Sequence, residues 1–231
     1  MGNCKSKVVD AFLIGVDVFP ALPAEEEVLA RIAKKQESIV CVEQSVTMEG
    51  AGVDAFARIK SAIMRWDIYG GRSQVYVQGG MIVQGAVIGI SVRLLSGVYA
   101  LSFEDVTDIN ETETALSSQL RVVVTTRQEN VVDGNYTVDI KLFKEGAAGR
   151  TGDRSTGDIE IYYQKRQNLH YWLMEKAIGS KGNYQNKTSK SARLTIERLQ
   201  AFGLGQPPND VRSDVLEVEG VQAIIAKQLQ R

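Results

Sequence analysis

The sequence predicts an α+β fold: a single domain with a twisted, mainly antiparallel sheet packed against helices, preceded by a flexible acylated arm. Three observations carry this expectation. Alternating and β-branched segments crowd the middle of the chain. Apolar residues at helical spacing flank them on both sides. The start of the chain combines an acylation pattern with two prolines. The boundaries follow: residues 1–24 form a membrane-anchoring arm and residues 25–231 the α+β domain.

The arm ends in Phe19-Pro20-Ala21-Leu22-Pro23, where two prolines favour extended chain. A helix follows, with Glu25, Glu26 and Glu27 at its positive end and Lys34-Lys35 at the other. Val28, Leu29 and Ile32 supply its apolar stripe. Ile39 to Met48 alternates as a half-buried strand, and Gly50-Ala51-Gly52 breaks it. Cys41 lies in that strand, where a free thiol acts as a small buried apolar group. Asp54 caps a helix from Ala55 to Trp66, with Phe56, Ile59, Ile63 and Trp66 on one face. Tyr69 to Ser73 is a turn.

Strands are expected over 74–78, over 81–95 with breaks at Gly85 and Gly89, and over 98–103. The acidic stretch Glu104 to Glu113 reads as a solvated loop or short helix. Leu120 to Thr126 is β-branched, Val132 to Asn135 a turn, and Tyr136 to Phe143 a strand with Tyr136, Val138, Ile140 and Leu142 on one face. A Gly-rich loop over 146–157 precedes a strand over 158–164. Leu169 to Ile178 reads as a short helix and Gly179 to Ser191 as loose polar chain. Ala192 to Phe202 is a helix with Leu194, Ile196, Leu199 and Phe202 apolar, ended by Gly203, Gly205 and Pro207-Pro208. Val221 to Leu229 makes a last helix.

The chain has 231 residues, 44% of them hydrophobic and 24% charged, enough for a core of useful size. No run of about 18 apolar residues is present, so no spanning helix is expected. Two cysteines, Cys4 and Cys41, give no disulfide framework and no thiolate metal site. His170 is the only histidine, which argues against a zinc site and a Ser–His or Cys–His triad. Neither a phosphate-cradling Gly-x-x-x-x-Gly-Lys-Ser/Thr loop nor a Gly-x-Ser-x-Gly elbow occurs. The carboxylate pairs Glu104/Asp105 and Glu111/Glu113 match no calcium loop. The expectation is therefore a non-enzyme without cofactor or metal.

Met1-Gly2-Asn3-Cys4-Lys5-Ser6 fits N-myristoylation of Gly2, and Cys4 is placed for palmitoylation. One myristoyl chain binds a bilayer only marginally, at about 10⁴ M⁻¹, so a second signal is needed. Cys4 offers one; Lys5 and Lys7 offer another, at about 1 kcal/mol per lysine beside an anionic leaflet. Charge is also uneven later in the chain. Lys165, Arg166, Lys176, Lys181, Lys187, Lys190, Arg193 and Arg198 oppose only Glu175 and Glu197. This basic segment reads either as a face for phosphates, of lipid or nucleocapsid, or as separate solvated faces.

The order of a strand (Ile39 to Met48), a glycine break, a helix and then Trp66-Asp67-Ile68-Tyr69-Gly70-Gly71-Arg72 resembles the central domain of rhabdovirus matrix proteins, especially vesiculovirus-like ones. Asp133-Gly134-Asn135-Tyr136 through Phe143 is similar to that family's later turn and strand. The resemblance spans residues 39–145. It implies a viral matrix-like structural protein on the cytosolic face of host membranes, and in the virion beneath the envelope. Such a protein binds the inner leaflet, self-associates as a homo-oligomer and links membrane to viral ribonucleoprotein during assembly and budding. Phe19, Pro20 and Pro23 form a candidate motif for host budding machinery. The chain departs from the family pattern at Pro207-Pro208-Asn209, which is followed by Asp210 instead of Tyr. Two alternatives are a viral movement protein binding single-stranded nucleic acid at membranes and a lipidated cellular signalling adaptor.

Overall fold

The structure is a computed structural model that describes residues 39–69, 73–77, 80–95, 98–126, 132–144, 157–169 and 181–209. The arm with Gly2, Cys4, Lys5, Lys7, Phe19, Pro20 and Pro23 lies outside these residues, as do the helix expected after Pro23, His170, Lys176 and the last expected helix.

Seven strands form one antiparallel sheet: β1 (Ile39–Met48), β2 (Ser73–Val77), β3 (Val87–Leu95), β4 (Val98–Glu113), β5 (Ser117–Thr126), β6 (Val132–Lys144) and β7 (Gly157–Leu169). Their spatial order is β1-β7-β6-β5-β4-β3-β2, so β2 to β7 run as consecutive antiparallel neighbours and β1 closes against the last of them. Helix α1 (Gly52–Met64) crosses from β1 to the far edge, and helix α2 (Lys181–Gly203) follows β7. The two helices pack on each other, α1 against β6 and β7 and α2 against β1 and β7.

Alternation dictates what is buried. Leu120, Val122 and Val124 of β5, Val138, Ile140 and Leu142 of β6, and Ile159 and Ile161 of β7 point to one face and are buried. Ala55, Phe56, Ile59, Ala62 and Ile63 of α1 and Ala192, Ile196, Leu199 and Phe202 of α2 complete this core. Leu194, expected with them, is half exposed.

Several expectations are corrected. The acidic stretch Glu104 to Glu113 is strand, the second half of β4. Its register shifts between Val106 and Asp108, so the inward phase passes from Glu104 and Val106 to Ile109. That bulge erases the period-two signal from the sequence. Val132 to Asn135 is strand too. A Cβ on Gly134 would lie 2.3 Å from the Arg166 carbonyl oxygen, so glycine serves close strand approach there and not a turn. Lys181 to Ser191 is helical and extends α2 by three turns. Cys41 is exposed on the outer face of β1, while Val40 and Val42 point inward. Asp54 sits in the first turn of α1 but does not cap it; Ala51 is the N-cap and makes no side-chain bond.

Both helices end in six-to-one, five-to-two turns. Trp66 N–H donates to Ile63 O (2.8 Å) and Asp67 N–H to Ala62 O (2.8 Å). Gly205 N–H donates to Phe202 O (3.0 Å) and Gln206 N–H to Ala201 O (2.9 Å). Gly205 takes the left-handed φ of 72° that its position requires, whereas Trp66 holds φ 58° against its side chain's preference. Arg58 of α1 clamps the end of α2: its Nη2 and Nε donate to Gly203 O at 2.6 and 3.1 Å.

Candidate functional site

One end of the inward sheet face is polar. Two cross-strand rows build it. Ile88, Glu104 and Thr126 follow one another across β3, β4 and β5. Val106, Val124, Tyr136, Lys165 and Val42 follow one another across β4, β5, β6, β7 and β1. Gln167, two residues beyond Lys165, lies buried on the same face. The strand period that buries Leu120 to Val124 and Ile140 therefore also carries Thr126, Tyr136 and Lys165 inside. The sequence does not distinguish these polar positions from surface ones by spacing alone.

The turn after α1 approaches this end. Arg198 Nε donates to Asp67 O at 2.6 Å, and Arg65 Nε pairs with the Asp67 carboxylate at 2.8 Å. Fixed in this way, Trp66 meets Tyr69 edge to face at 6.4 Å. Tyr69 hydrogen-bonds Tyr163 and feels Glu104 and Tyr136.

Glu104 is only 1% exposed. Its carboxylate accepts a hydrogen bond from Tyr136, two strands away. Two strand spacings come to about 9.5 Å, which these long side chains bridge above Val124 and Thr126. The Lys165 ammonium lies 4.7 Å from the centroid of the Tyr136 ring, a cation–π contact. The Tyr136 hydroxyl also accepts from Gln167 Nε2 at 3.4 Å. Tyr136 thus stands between the carboxyl and the amine.

Burial dominates the electrostatics. It pushes Glu104 up to about 7, although the Lys165 charge and the Tyr136 hydrogen bond both pull it down. Burial also lowers Lys165 to about 8, opposed by attraction to Glu104. Tyr69 is driven well above the ordinary phenol range, first by burial and then by the Glu104 charge. An acid and an amine that both titrate near neutrality can exchange protons with a bound molecule.

Two buried oxygens in this row lack a hydrogen-bond partner among the described residues: Glu104 Oε2 and Thr126 Oγ1. They belong to directly paired positions of β4 and β5. Trp66 Nε1 and Asp67 Oδ1, in the turn after α1, are unpartnered in the same way; a buried polar atom left unpaired costs about 1–3 kcal/mol.

The expected basic segment is divided by the structure. Lys165 and Arg166 are adjacent in β7 and so face opposite sides; Lys165 is half-buried and turned toward Tyr136, and Arg166 is exposed. Lys165 is thereby removed from the surface set. Lys187, Lys190 and Arg193 are exposed along α2, with Arg193 paired to Glu197 at 3.4 Å; Lys181 begins that helix. Glu104, expected to be solvated, is the most deeply buried carboxylate of the site, while Glu111 pairs with Lys60 and Glu113 with Lys144 at 2.8 Å. Thr126, Tyr136, Tyr163 and Gln167 were not legible as site residues. The one available signal was Tyr136, assigned to the buried face while carrying a hydroxyl. Among the described residues, no three His, Cys, Asp or Glu side chains cluster as a metal site requires. No helix among them is long and apolar enough to cross a membrane.

No family model matches the chain, and no curated protein matches it. Similar solved structures include a hypothetical protein from Helicobacter pylori, 12% identical with a TM-score of 0.46, covering 80% of this chain and 97% of that one. The di-domain ARO/CYC StfQ from the steffimycin biosynthetic pathway is 9% identical with a TM-score of 0.43, covering 75% of this chain and 54% of that one. A protein of unknown function from Staphylococcus aureus is 10% identical with a TM-score of 0.41, covering 71% of this chain and 94% of that one. Likenesses this distant carry no argument about what the chain does.

Proposed function

We propose that this protein binds a small, mostly apolar molecule bearing a hydroxyl or carbonyl oxygen, held inside the domain at the polar end of the sheet. The observation that carries this reading is the unpartnered Glu104 Oε2 and Thr126 Oγ1, at paired positions where the polar end of the sheet meets the apolar core. Apolar walls with a few convergent polar groups are the usual form of a small-molecule site. A protonated Glu104 donates to the ligand oxygen and an ionised one accepts from its hydroxyl, so a group titrating near 7 serves either ligand. Acylation at Gly2 and Cys4 would hold this binding domain at a membrane surface, where amphipathic ligands concentrate.

Calorimetric titration with 3-phenylpropan-1-ol is the test. Wild type is expected to bind, and Thr126→Val to bind about fivefold more weakly, the loss of one neutral hydrogen bond. Equal affinity of the variant, or no binding by wild type, would overturn the reading.

The matrix-like function is the second reading. It is favoured by the order β1, α1, the Trp66 turn and β2, which is the order the resemblance implies. It requires flotation on anionic liposomes that Gly2→Ala abolishes, together with self-association that grows as salt falls. A Gly2→Ala protein that still floats, or a monomer at every ionic strength, would exclude it.

A further inference from the structure

The polar end of the sheet holds an amine as well as oxygens. Among the described residues no carboxylate lies within ion-pair distance of Lys165 Nζ. It sits instead over the Tyr136 ring, whose hydroxyl bonds Glu104. The groups that act on Lys165 are the Tyr136 ring beneath it and the Glu104 charge; Tyr69 and Tyr163 interact with Glu104 and Tyr136 in turn. A lysine turned inward over an aromatic ring, with no carboxylate to hold its charge and burial disfavouring the ammonium, is the kind of amine that acts as a nucleophile toward carbonyl carbon.

We propose that Lys165 captures an aldehyde or ketone ligand as an imine, with Glu104 moving the protons. This rests on the interior-binding reading and narrows its ligand to a carbonyl compound. A proton leaves the Lys165 ammonium and is taken up by the Glu104 carboxylate, relayed across the Tyr136 hydroxyl that bonds the carboxylate. The freed nitrogen lone pair attacks the carbonyl carbon, and the C=O π pair moves to oxygen, which takes that proton back from Glu104. The new N–H of the carbinolamine then passes its proton through Glu104 to the hydroxyl, which leaves as water. The nitrogen lone pair forms the C=N bond, and protonation state is conserved: one carbonyl and one ammonium yield one protonated imine and one water. No oxidant or reductant takes part. Glu104 at about 7 and Lys165 at about 8 place both groups near the point where each proton transfer is balanced at neutral pH.

The test treats the full chain with 3-phenylpropanal and sodium cyanoborohydride at pH 7, which reduces an imine to a stable amine, and locates adducts by peptide mass mapping. Lys165 is expected to label at least tenfold faster than the exposed Lys187 and Lys190 of the same molecules. This comparison within wild-type protein does not depend on any variant folding. Glu104→Gln is expected to slow Lys165 labelling by about 10²-fold without changing the rate at Lys187. Lys165 labelling no faster than that of the surface lysines overturns the imine. Binding of 3-phenylpropan-1-ol in parallel separates the two claims: if the alcohol binds and Lys165 is not preferred, imine capture falls and interior binding stands. If neither occurs, both fall.

Discussion

Replacing Glu104 by Gln should make the domain more stable as pH rises, although it removes a buried hydrogen-bonded group. Glu104 is 1% exposed and burial raises it from 4.5 to about 7. Its folded value therefore exceeds its unfolded one. Between those two values the folded chain binds a proton that the unfolded chain has released, so stability falls with pH across roughly 4.5 to 7 and stays reduced above. At about 1.4 kcal/mol for each tenfold change, the loss is on the order of 3 kcal/mol for the site. Gln has the same shape, keeps an acceptor for Tyr136 and does not titrate. Lys165 by itself runs the other way, its burial cost fading as pH rises toward 8; without the Glu104 charge its value drops further, so that relief begins at lower pH in the variant and widens the difference. Urea titrations of both proteins, followed by the fluorescence of buried Trp66, give the difference directly. It should grow from about zero at pH 4.5 to a few kcal/mol in favour of Glu104→Gln at pH 7.5, with an unchanged slope on urea. A difference that is flat with pH, or one that favours wild type at pH 7.5, would refute the account of a carboxyl held against its desolvation.

Three other outcomes follow from the same structure. Lys165→Met removes the charge that pulls Glu104 down, so the fall in stability with rising pH should continue past pH 7 before it levels off in the same urea series; levelling at the same pH as wild type would break the link between the two groups. Arg58→Met removes both donors that Arg58 gives the Gly203 carbonyl at the end of α2 and should cost about 1–2 kcal/mol, read as a lower urea midpoint. Gly134→Ala sets a methyl 2.3 Å from a backbone oxygen that cannot move aside without opening β6 from β7, and should cost about 1–3 kcal/mol or more by thermal melting.

The legible parts of this chain were those with a local cause. The bounds of β1 are legible in its apolar alternation, Ile39 to Met48, although Val40, Val42 and Met48 face inward and Cys41 outward. α1 declared itself by Phe56, Ile59 and Ile63 at helical spacing, and the end of α2 by Gly205, which takes the left-handed turn. Where a cause was distant, the reading failed. Glu104 to Glu113 looks like solvated loop because a bulge at Thr107 changes which residues face inward, and only pairing with β5 reveals it. Asp133-Gly134-Asn135 has turn chemistry, yet β7 on the other side holds it extended. The N-terminal half of α2 is too polar to announce itself, with Thr188 as its single buried residue between Gln185 and Ser191.

The sequence by itself determined the α+β class, most of the strand periods and the apolar stripe of α1, since each depends on residues a few positions apart. Only the tertiary structure decided that Glu104, Thr126, Tyr136 and Lys165 form a site. They come from four strands whose order is set by pairing, and a polar residue on a strand is indistinguishable from a surface one until the sheet chooses which face to bury. The raised carboxyl and lowered amine are consequences of that choice, because desolvation belongs to the assembled interior and not to any stretch of the chain.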